Sequence, residues 1–123
     1  MANATNRKQS LGARGEQIAR EHLTRQGYTI LATNWHCTFG ELDIVAQQGE
    51  TIVFVEVRAR RAGSDQAFAS ITPRKQQKLI LAAQAFLSAH SLEDATCRFD
   101  AIALSAAPDD TLRLDHAEDV LGW

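Results

Sequence analysis

The order of apolar patterns along the chain predicts an α/β fold, with a mixed sheet of four to five strands flanked by helices in the order αβββαβ. Two segments, 10–26 and 72–87, carry apolar residues at helical spacing. Three shorter runs between them, and one or two after them, are rich in β-branched and aromatic residues, which favours strands. Because a helix connects the third and fourth strands, we expect that pair to be parallel.

Length and composition predict a single domain. A chain of 123 residues that is 45% hydrophobic and 23% charged is large enough for a core of its own. The first nine residues are polar and lack the apolar segment of a signal peptide. We therefore expect residues 1–9 to form a disordered N-terminal tail and residues 10–123 to form one domain.

The first predicted helix runs from Ser10 to Gln26. Its apolar residues recur at helical spacing, and Gly27 suits the position just after the helix. The segment 28–35 then predicts a first strand.

The next two strands are predicted over residues 41–46 and 51–60, joined as a hairpin. Gly49 between them accommodates the positive φ that tight turns require. The segment 61–71 follows as an irregular loop, long enough to suggest a binding segment.

The second helix is predicted to begin at Thr72 and Pro73. Threonine is a good N-cap, and proline suits the first helical position. The segment 97–104 predicts a fourth strand, and residues 112–114 predict a short fifth strand.

The net charge of −2 conceals an asymmetry. Of the seven charged residues from Arg58 to Lys78, six are basic, whereas residues 91–123 contain eight acids and two arginines. A nearly neutral total excludes a protein that coats nucleic acid by bulk charge, but it permits a local basic patch.

No apolar run approaches the roughly 20 residues that span a membrane. Cys37 and Cys97 fit no metal-binding spacing, so we expect free thiols in a reducing cytoplasm. The four histidines are dispersed, which argues against a histidine metal site.

Acidic residues interrupt both strands of the predicted hairpin. Side chains alternate between the two faces of a strand, so residues two apart share a face. A two-residue loop of Gln48 and Gly49 would place Asp43 opposite Phe54 and Glu41 opposite Glu56. An odd-length loop would instead separate Asp43 and Glu56, because a one-residue slip reverses every side chain.

With the two-residue loop, four charged side chains converge on one face: Glu41, Asp43, Glu56 and Arg58. Buried charges are expensive unless they are paired, bound to a metal or catalytic. Carboxylates on adjoining strands provide the oxygen ligands that Mg²⁺ prefers, and a bound Mg²⁺ polarises a phosphodiester. The pattern therefore predicts a metal site for phosphate chemistry.

This arrangement resembles the PD-(D/E)XK nuclease superfamily, whose restriction-endonuclease-like core is a helix, a three-strand meander, a helix and a further strand. The resemblance covers residues 11–105. At closer range the chain is similar to the small bacterial YraN family. The matching residues are Gly15-Glu16, Gly27-Tyr28, Asn34, the segments 40–46 and 53–60, Lys75 with Lys78, and Arg98-Phe99-Asp100.

The resemblance implies an endonuclease-like protein that depends on Mg²⁺ or Mn²⁺ and binds, and in its active form hydrolyses, DNA or RNA. Asp43 stands in place of the first motif acid, and Glu56 in place of the second. Arg58 stands where the superfamily has lysine, and Glu16 matches an additional helix acid of the resolvase-like branch. These four are the predicted catalytic residues. The sequence leaves the oligomeric state open; the resolvase-like relatives are homodimers, so by analogy a homodimer is one possible state.

The predicted metal ligands are Asp43, Glu56 and Glu41, and the predicted nucleic-acid-binding residues are Arg60, Arg61, Lys75 and Lys78. Because arginine stays protonated at all relevant pH values, Arg58 stabilises charge but does not act as a general base. Lys75 or Lys78 could reach in as a substitute.

Other interpretations remain open. Arg58 could form a structural ion pair with Asp43 and Glu56, and Glu16, Lys75 and Lys78 could be solvated helix residues. The domain would then be a catalytically degenerate nucleic-acid-binding module, or a protein-interaction scaffold with a cluster of salt bridges.

Two further expectations concern single residues. Asp100 is expected to point inward with a polar partner, and Trp35 and Phe39 are expected to pack in the core rather than stack on bases.

Overall fold

The computed structural model describes residues 11–61 and 71–122. The predicted tail 1–9 and nearly all of the predicted loop 61–71 lie outside the described residues. Within these two ranges, two helices and five strands follow one another in the predicted order: α1 Leu11–Arg25, β1 Thr29–Cys37, β2 Gly40–Gln48, β3 Thr51–Arg61, α2 Pro73–Ala89, β4 Thr96–Ala106 and β5 Leu112–Ala117. The α/β prediction is confirmed, and the short fifth strand is real.

The five strands form one mixed sheet in the order β1-β2-β3-β4-β5. Each pair is antiparallel except β3 and β4, which run parallel from Thr51↔Thr96 to Arg61↔Ala106. The parallel pair is the one connected through α2, as predicted, since two parallel neighbours need a crossover between them.

The sheet has a helix on each face. Along β3, Val53 and Val55 pack in the cluster that contains α1, whereas Ile52 and Phe54 pack in the cluster that contains α2. This alternation explains why residues 52–55 of the strand are all apolar: both faces of the strand are buried there.

Each helix is fixed at the end that lies near the predicted site. A Cβ atom on Gly15 of α1 would lie 3.0 Å from Cδ1 of Leu104 and 3.2 Å from Cβ of Ala59, so the helix approaches the sheet closely there. At the start of α2, the hydroxyl of Thr72 accepts a hydrogen bond from the N–H of Lys75 at 3.2 Å. The predicted N-cap is confirmed.

The hairpin between β2 and β3 corrects the predicted pairing. Its two-residue loop is Gly49-Glu50, so Gln48 pairs with Thr51, and Val45 rather than Asp43 lies opposite Phe54. Glu41 is therefore not opposite Glu56. The reason is the glycine: with φ of 60°, Gly49 holds the first loop position, where a type II′ turn requires glycine. The shift is two positions, so Asp43 and Glu56 keep the predicted parity.

Two smaller expectations can be compared with the described residues. Cys37 and Cys97 are free, as expected, and both are half-buried. Neither described helix is long and apolar enough to cross a membrane.

Candidate active site where strands β2 and β3 separate

Asp43 lies where the central hairpin opens. The paired positions of β2 and β3 extend from Gln48↔Thr51 to Ile44↔Val55. One residue beyond, Oδ2 of Asp43 accepts a hydrogen bond from the N–H of Val57 at 2.9 Å. The carboxylate is thus held against the backbone of β3, between the two strands, which fixes its position.

Glu56 is the buried carboxylate of the site, with 7% of its surface exposed. Its Oε1 lies 3.3 Å from Nη2 of Arg58 and 3.3 Å from Nζ of Lys75. Arg58 comes from the same strand, and Lys75 comes from the first turn of α2. Two cations therefore meet one oxygen of this carboxylate.

The pKa of Glu56 is nevertheless raised, from an ordinary value of 4.5 to about 7. Burial is the largest cause, and the negative charge of Asp43 adds to it. Lys75 and Arg58 act in the opposite direction but do not cancel these effects. The folded protein therefore holds Glu56 where its charged form is costly.

Glu16 and Glu41 meet at a second point, around Asn34 of β1. In the amide orientation that suits both neighbours, the Asn34 nitrogen donates to Oε1 of Glu16 at 2.8 Å and to Oε1 of Glu41 at 2.9 Å. Asn34 has a φ of 49°, which asparagine tolerates better than most residues. His36 lies 3.5 Å from Glu41 on the exposed side.

The charge of Asp43 connects the two points. It raises the pKa of Glu16, after the larger effect of burial and together with Glu41, while Arg20 and Asn34 oppose the change. The same charge raises the pKa of Glu56. We call Glu16, Glu41, Asp43 and Glu56 the acid cluster. Its members repel one another, with Asp43 in the middle.

The acid cluster fits a divalent cation only in part. Within residues 11–61 and 71–122, no three histidine, cysteine, aspartate or glutamate side chains are grouped closely enough to hold a metal ion. The predicted ligand set of Asp43, Glu56 and Glu41 is therefore not gathered into one group. Asp43 and Glu56 remain as a pair, and Mg²⁺ is commonly bound by one or two carboxylates with water and a substrate phosphate.

Arg58 has unused hydrogen-bonding capacity. Its Nε and Nη2 atoms are buried and have no hydrogen-bond acceptor among the described residues, although the ion pair with Glu56 is close. Unpaired buried donors are costly, so native proteins usually satisfy them. An anion bound beside Glu56 would supply the missing acceptors.

The other predicted basic residues lie at different places. Arg60 donates to the carbonyl of Ala59, and the exposed Arg61 lies 3.6 Å from Asp110 in the turn before β5. Lys78 lies on α2 one turn beyond Lys75. Lys75 alone among them contacts Glu56 in the described structure.

Two features of the site depend on contacts that strand spacing does not reveal. Lys75 reaches Glu56 from a helix, and Asn34 bridges two glutamates from an edge strand.

The two aromatic residues near the site differ in burial. Trp35 packs in the core against Phe86, with ring centroids 5.3 Å apart, as expected. Phe39 contradicts the expectation of core packing, because it lies in the turn before β2 with 46% of its surface exposed.

Asp100 forms a separate polar network, distinct from the acid cluster. It is fully buried and accepts hydrogen bonds from Nε and Nη2 of Arg98, from the N–H of Asp119 and, at 2.9 Å, from Nε2 of His116. Nη2 of Arg98 also donates to the hydroxyl of Tyr28 at 2.8 Å. The expectation of an inward, paired Asp100 is confirmed.

Comparison with known proteins places the chain in one family. Residues 15–104 match the profile of "Uncharacterised protein family UPF0102". A UPF0102 protein of Chloroflexus aurantiacus is 47% identical over 94% of this chain and 95% of its own length. One from Methylobacillus flagellatus is 52% identical over 77% of this chain and 83% of its own length. A third, from Geobacter sulfurreducens, is 43% identical over 86% and 84%.

The family match covers most of α1, the hairpin that carries Asp43 and Glu56, all of α2 and most of β4. The expectation drawn from the residue motifs is thereby confirmed at the level of the family. The chain belongs to the UPF0102 family, which is the YraN family.

Proposed function

We propose that this protein is a metal-dependent endonuclease-like protein of the PD-(D/E)XK type, which binds nucleic acid and hydrolyses its phosphodiester bonds. The observation that carries the proposal is the Glu56 side chain. This buried carboxylate is crowded by Asp43 yet lies within 3.3 Å of two cations, one of which has unsatisfied donors. A purely structural pair would leave neither the repulsion nor the unused donors.

Asp43 and Glu56 would hold the cation. Both carboxylates lie at the opening of the hairpin, and the backbone N–H of Val57 keeps Asp43 in place. Burial is the main reason that the pKa of Glu56 is raised, and a divalent ion would relieve the repulsion from Asp43 that adds to it. When bound, Mg²⁺ or Mn²⁺ polarises the phosphodiester and makes a water molecule more acidic.

The two cations beside Glu56 would act on the phosphate. Nε and Nη2 of Arg58 are directed donors suited to two phosphate oxygens. The Lys75 ammonium adds positive charge from α2, where negative charge develops during phosphoryl transfer. Arg58 stands on β3 where the superfamily motif has lysine, and Lys75 supplies a second cation from α2.

The test is metal-dependent cleavage. Labelled single-stranded, duplex and branched DNA and RNA are incubated with the protein and Mg²⁺ or Mn²⁺. We expect cleavage of at least one substrate, its loss in EDTA, and a rate lower by about 100-fold or more in Glu56→Gln. Glu50→Gln, in the exposed loop of the same hairpin, is the matched control and should cleave as the wild type does.

A second candidate is a nucleic-acid-binding module without turnover. It is favoured by the double ion pairing of Glu56, which occupies one oxygen of the carboxylate, and by the lack of a three-ligand group among the described residues. Salt-dependent binding that weakens in Lys75→Ala, with no cleavage of any substrate, would support this module and contradict the nuclease. Absence of any nucleic-acid binding would contradict both and leave the scaffold interpretation.

A further inference from the structure

A small cavity opens beside the acid cluster. It has a volume of about 120 Å³ and lies between the turn that begins β2 and the first turns of α2. The strand side contributes Phe39, Gly40 and Glu41, and the helix side contributes Lys75, Lys78 and Leu79. Two of these residues connect the cavity with the site, because Lys75 contacts Glu56 and Glu41 shares Asn34 with Glu16.

The strand side offers an aromatic surface. Phe39 is 46% exposed, whereas Trp35, four residues earlier, is packed against Phe86. The other large apolar residues with comparable exposure in the described chain are aliphatic: Leu31, Leu81 and Val120. Among the described phenylalanine, tyrosine and tryptophan side chains, Phe39 is thus the exposed one, and it lies at the edge of a cavity.

The helix side is cationic, and among the described residues only one of its two lysines has an acidic partner: Lys75 contacts Glu56, whereas Lys78 contacts no acid. Lys75 and Lys78 lie one turn apart on α2, and the first turn of this helix contains no acidic residue. Lysines near a helix N-terminus oppose the helix dipole, which is unfavourable unless an anion binds there. The arrangement suits a phosphate on the lysine side. On the strand side of the cavity, the carboxylate of Glu41 would repel a phosphate.

From these two sides we infer that the cavity binds one unpaired nucleotide next to the phosphodiester presented to the acid cluster. The base stacks on Phe39, and its phosphate contacts Lys78. A base inside a duplex is stacked on both faces and cannot offer one to a protein ring, so the substrate carries at least one unpaired nucleotide. The inference rests on the proposed function for the identity of the ligand as nucleic acid.

The experiment uses short DNA and RNA strands with a single 2-aminopurine, with and without the complementary strand. Stacking of this base on an aromatic ring quenches its fluorescence, so titration reports both affinity and stacking. EDTA is present throughout, so the result does not depend on cleavage. We expect the wild type to bind the single strand about tenfold or more tightly than the duplex and to quench its fluorescence.

The variants separate stacking from charge. Phe39→Leu should lose the quenching and weaken single-strand binding by about fivefold or more, while Phe39→Trp should retain both. Lys78→Gln should weaken binding to every strand. It should also reduce the slope of the logarithm of the binding constant against the logarithm of salt concentration by about one. Leu81→Ala is the control: Leu81 lies on α2 with Lys78 but outside the cavity, and at 37% its exposure is similar to that of Phe39. This variant should change neither affinity nor quenching.

Equal affinity for single strand and duplex, or unchanged quenching in Phe39→Leu, would overturn the inference. Failure of cleavage has a different signature. Quenching that depends on Phe39, in a protein that cleaves no substrate, would support the nucleotide cavity and count against hydrolysis.

Discussion

Two buried carboxylates on adjacent strands, Asp100 and Glu56, experience opposite environments. Asp100 is 0% exposed and Glu56 is 7% exposed. Burial alone acts to raise the pKa of Asp100, but hydrogen bonds from His116, Arg98 and the N–H of Asp119 outweigh it, and its pKa is lowered. The pKa of Glu56 is raised to about 7 by burial and by Asp43.

The difference lies in how partners are arranged. Four donors surround Asp100, and both of its oxygens are used. Around Glu56, Arg58 and Lys75 both meet a single oxygen, a second carboxylate lies nearby, and two Arg58 donors are unsatisfied among the described residues. Asp100 completes a network that stabilises the fold. Glu56 belongs to an arrangement that a ligand would complete.

The largest effect is expected at the satisfied carboxylate. Asp100→Asn removes the charge that pairs with Arg98 and His116, so it should lower the free energy of unfolding by about 3 kcal/mol. Chemical denaturation at neutral pH measures this change. Asp94→Asn, at an exposed aspartate in the connection before β4, is the control and should have little effect. If Asp100→Asn were as stable as the wild type, Asp100 would not stabilise the fold, and its contrast with Glu56 would be contradicted.

The next effect is the pH dependence of stability in metal-free buffer. The pKa of Asp100 is lowered from 3.8, so its contribution is present above that value and is lost as the pH falls below it. The pKa of Glu56 is raised from 4.5 to about 7, so its protonated form favours folding, and stability should decrease as the pH rises through this interval.

Glu56→Gln isolates that second contribution. The decrease between pH 4.5 and about 7 corresponds to roughly 3 kcal/mol for an isolated group and should be absent in this variant. Denaturant unfolding of both proteins across this interval tests the sign. A wild-type contribution from Glu56 that grows with pH would show that Arg58 and Lys75 dominate and that the carboxylate is a structural partner.

The smallest change is expected at Asp43. Asp43→Asn keeps an oxygen that can accept from Val57 and removes the charge that repels Glu16 and Glu56. The metal-free variant should be as stable as the wild type or more stable, by about 0–2 kcal/mol. Thermal melts in EDTA provide the measurement. A clear loss of stability would mean that Asp43 is held by an ion pair.

Much of this site follows from local spacing. Gly49 predicts a tight turn, and a two-residue loop preserves the parity that places Asp43 and Glu56 on corresponding faces. The pairing itself was wrong by two positions, because the choice between Gln48-Gly49 and Gly49-Glu50 depends on where in the turn glycine is required. A shift of two positions leaves each side chain on its predicted face of the sheet, but it changes which residue lies opposite.

The remaining features depend on tertiary contacts. The approach of Lys75 to Glu56 depends on how α2 packs across the sheet, and strand periodicity does not encode that contact. Asn34 is one of the residues that match the YraN family, but nothing in its spacing along β1 predicts that it bridges Glu16 and Glu41. Phe39 resembles a core residue by composition, and its exposure follows from the turn that carries it.

We propose that Asp43 and Glu56 form a cation site, whereas Asp100 does not. Isothermal titration of Mn²⁺ into the wild type, Asp43→Asn, Glu56→Gln and the control Glu50→Gln measures this difference. We predict saturable binding to the wild type and to Glu50→Gln, and binding at least about tenfold weaker in each of the other two variants. The claim is contradicted if the wild type binds no Mn²⁺, or if all four proteins bind it equally.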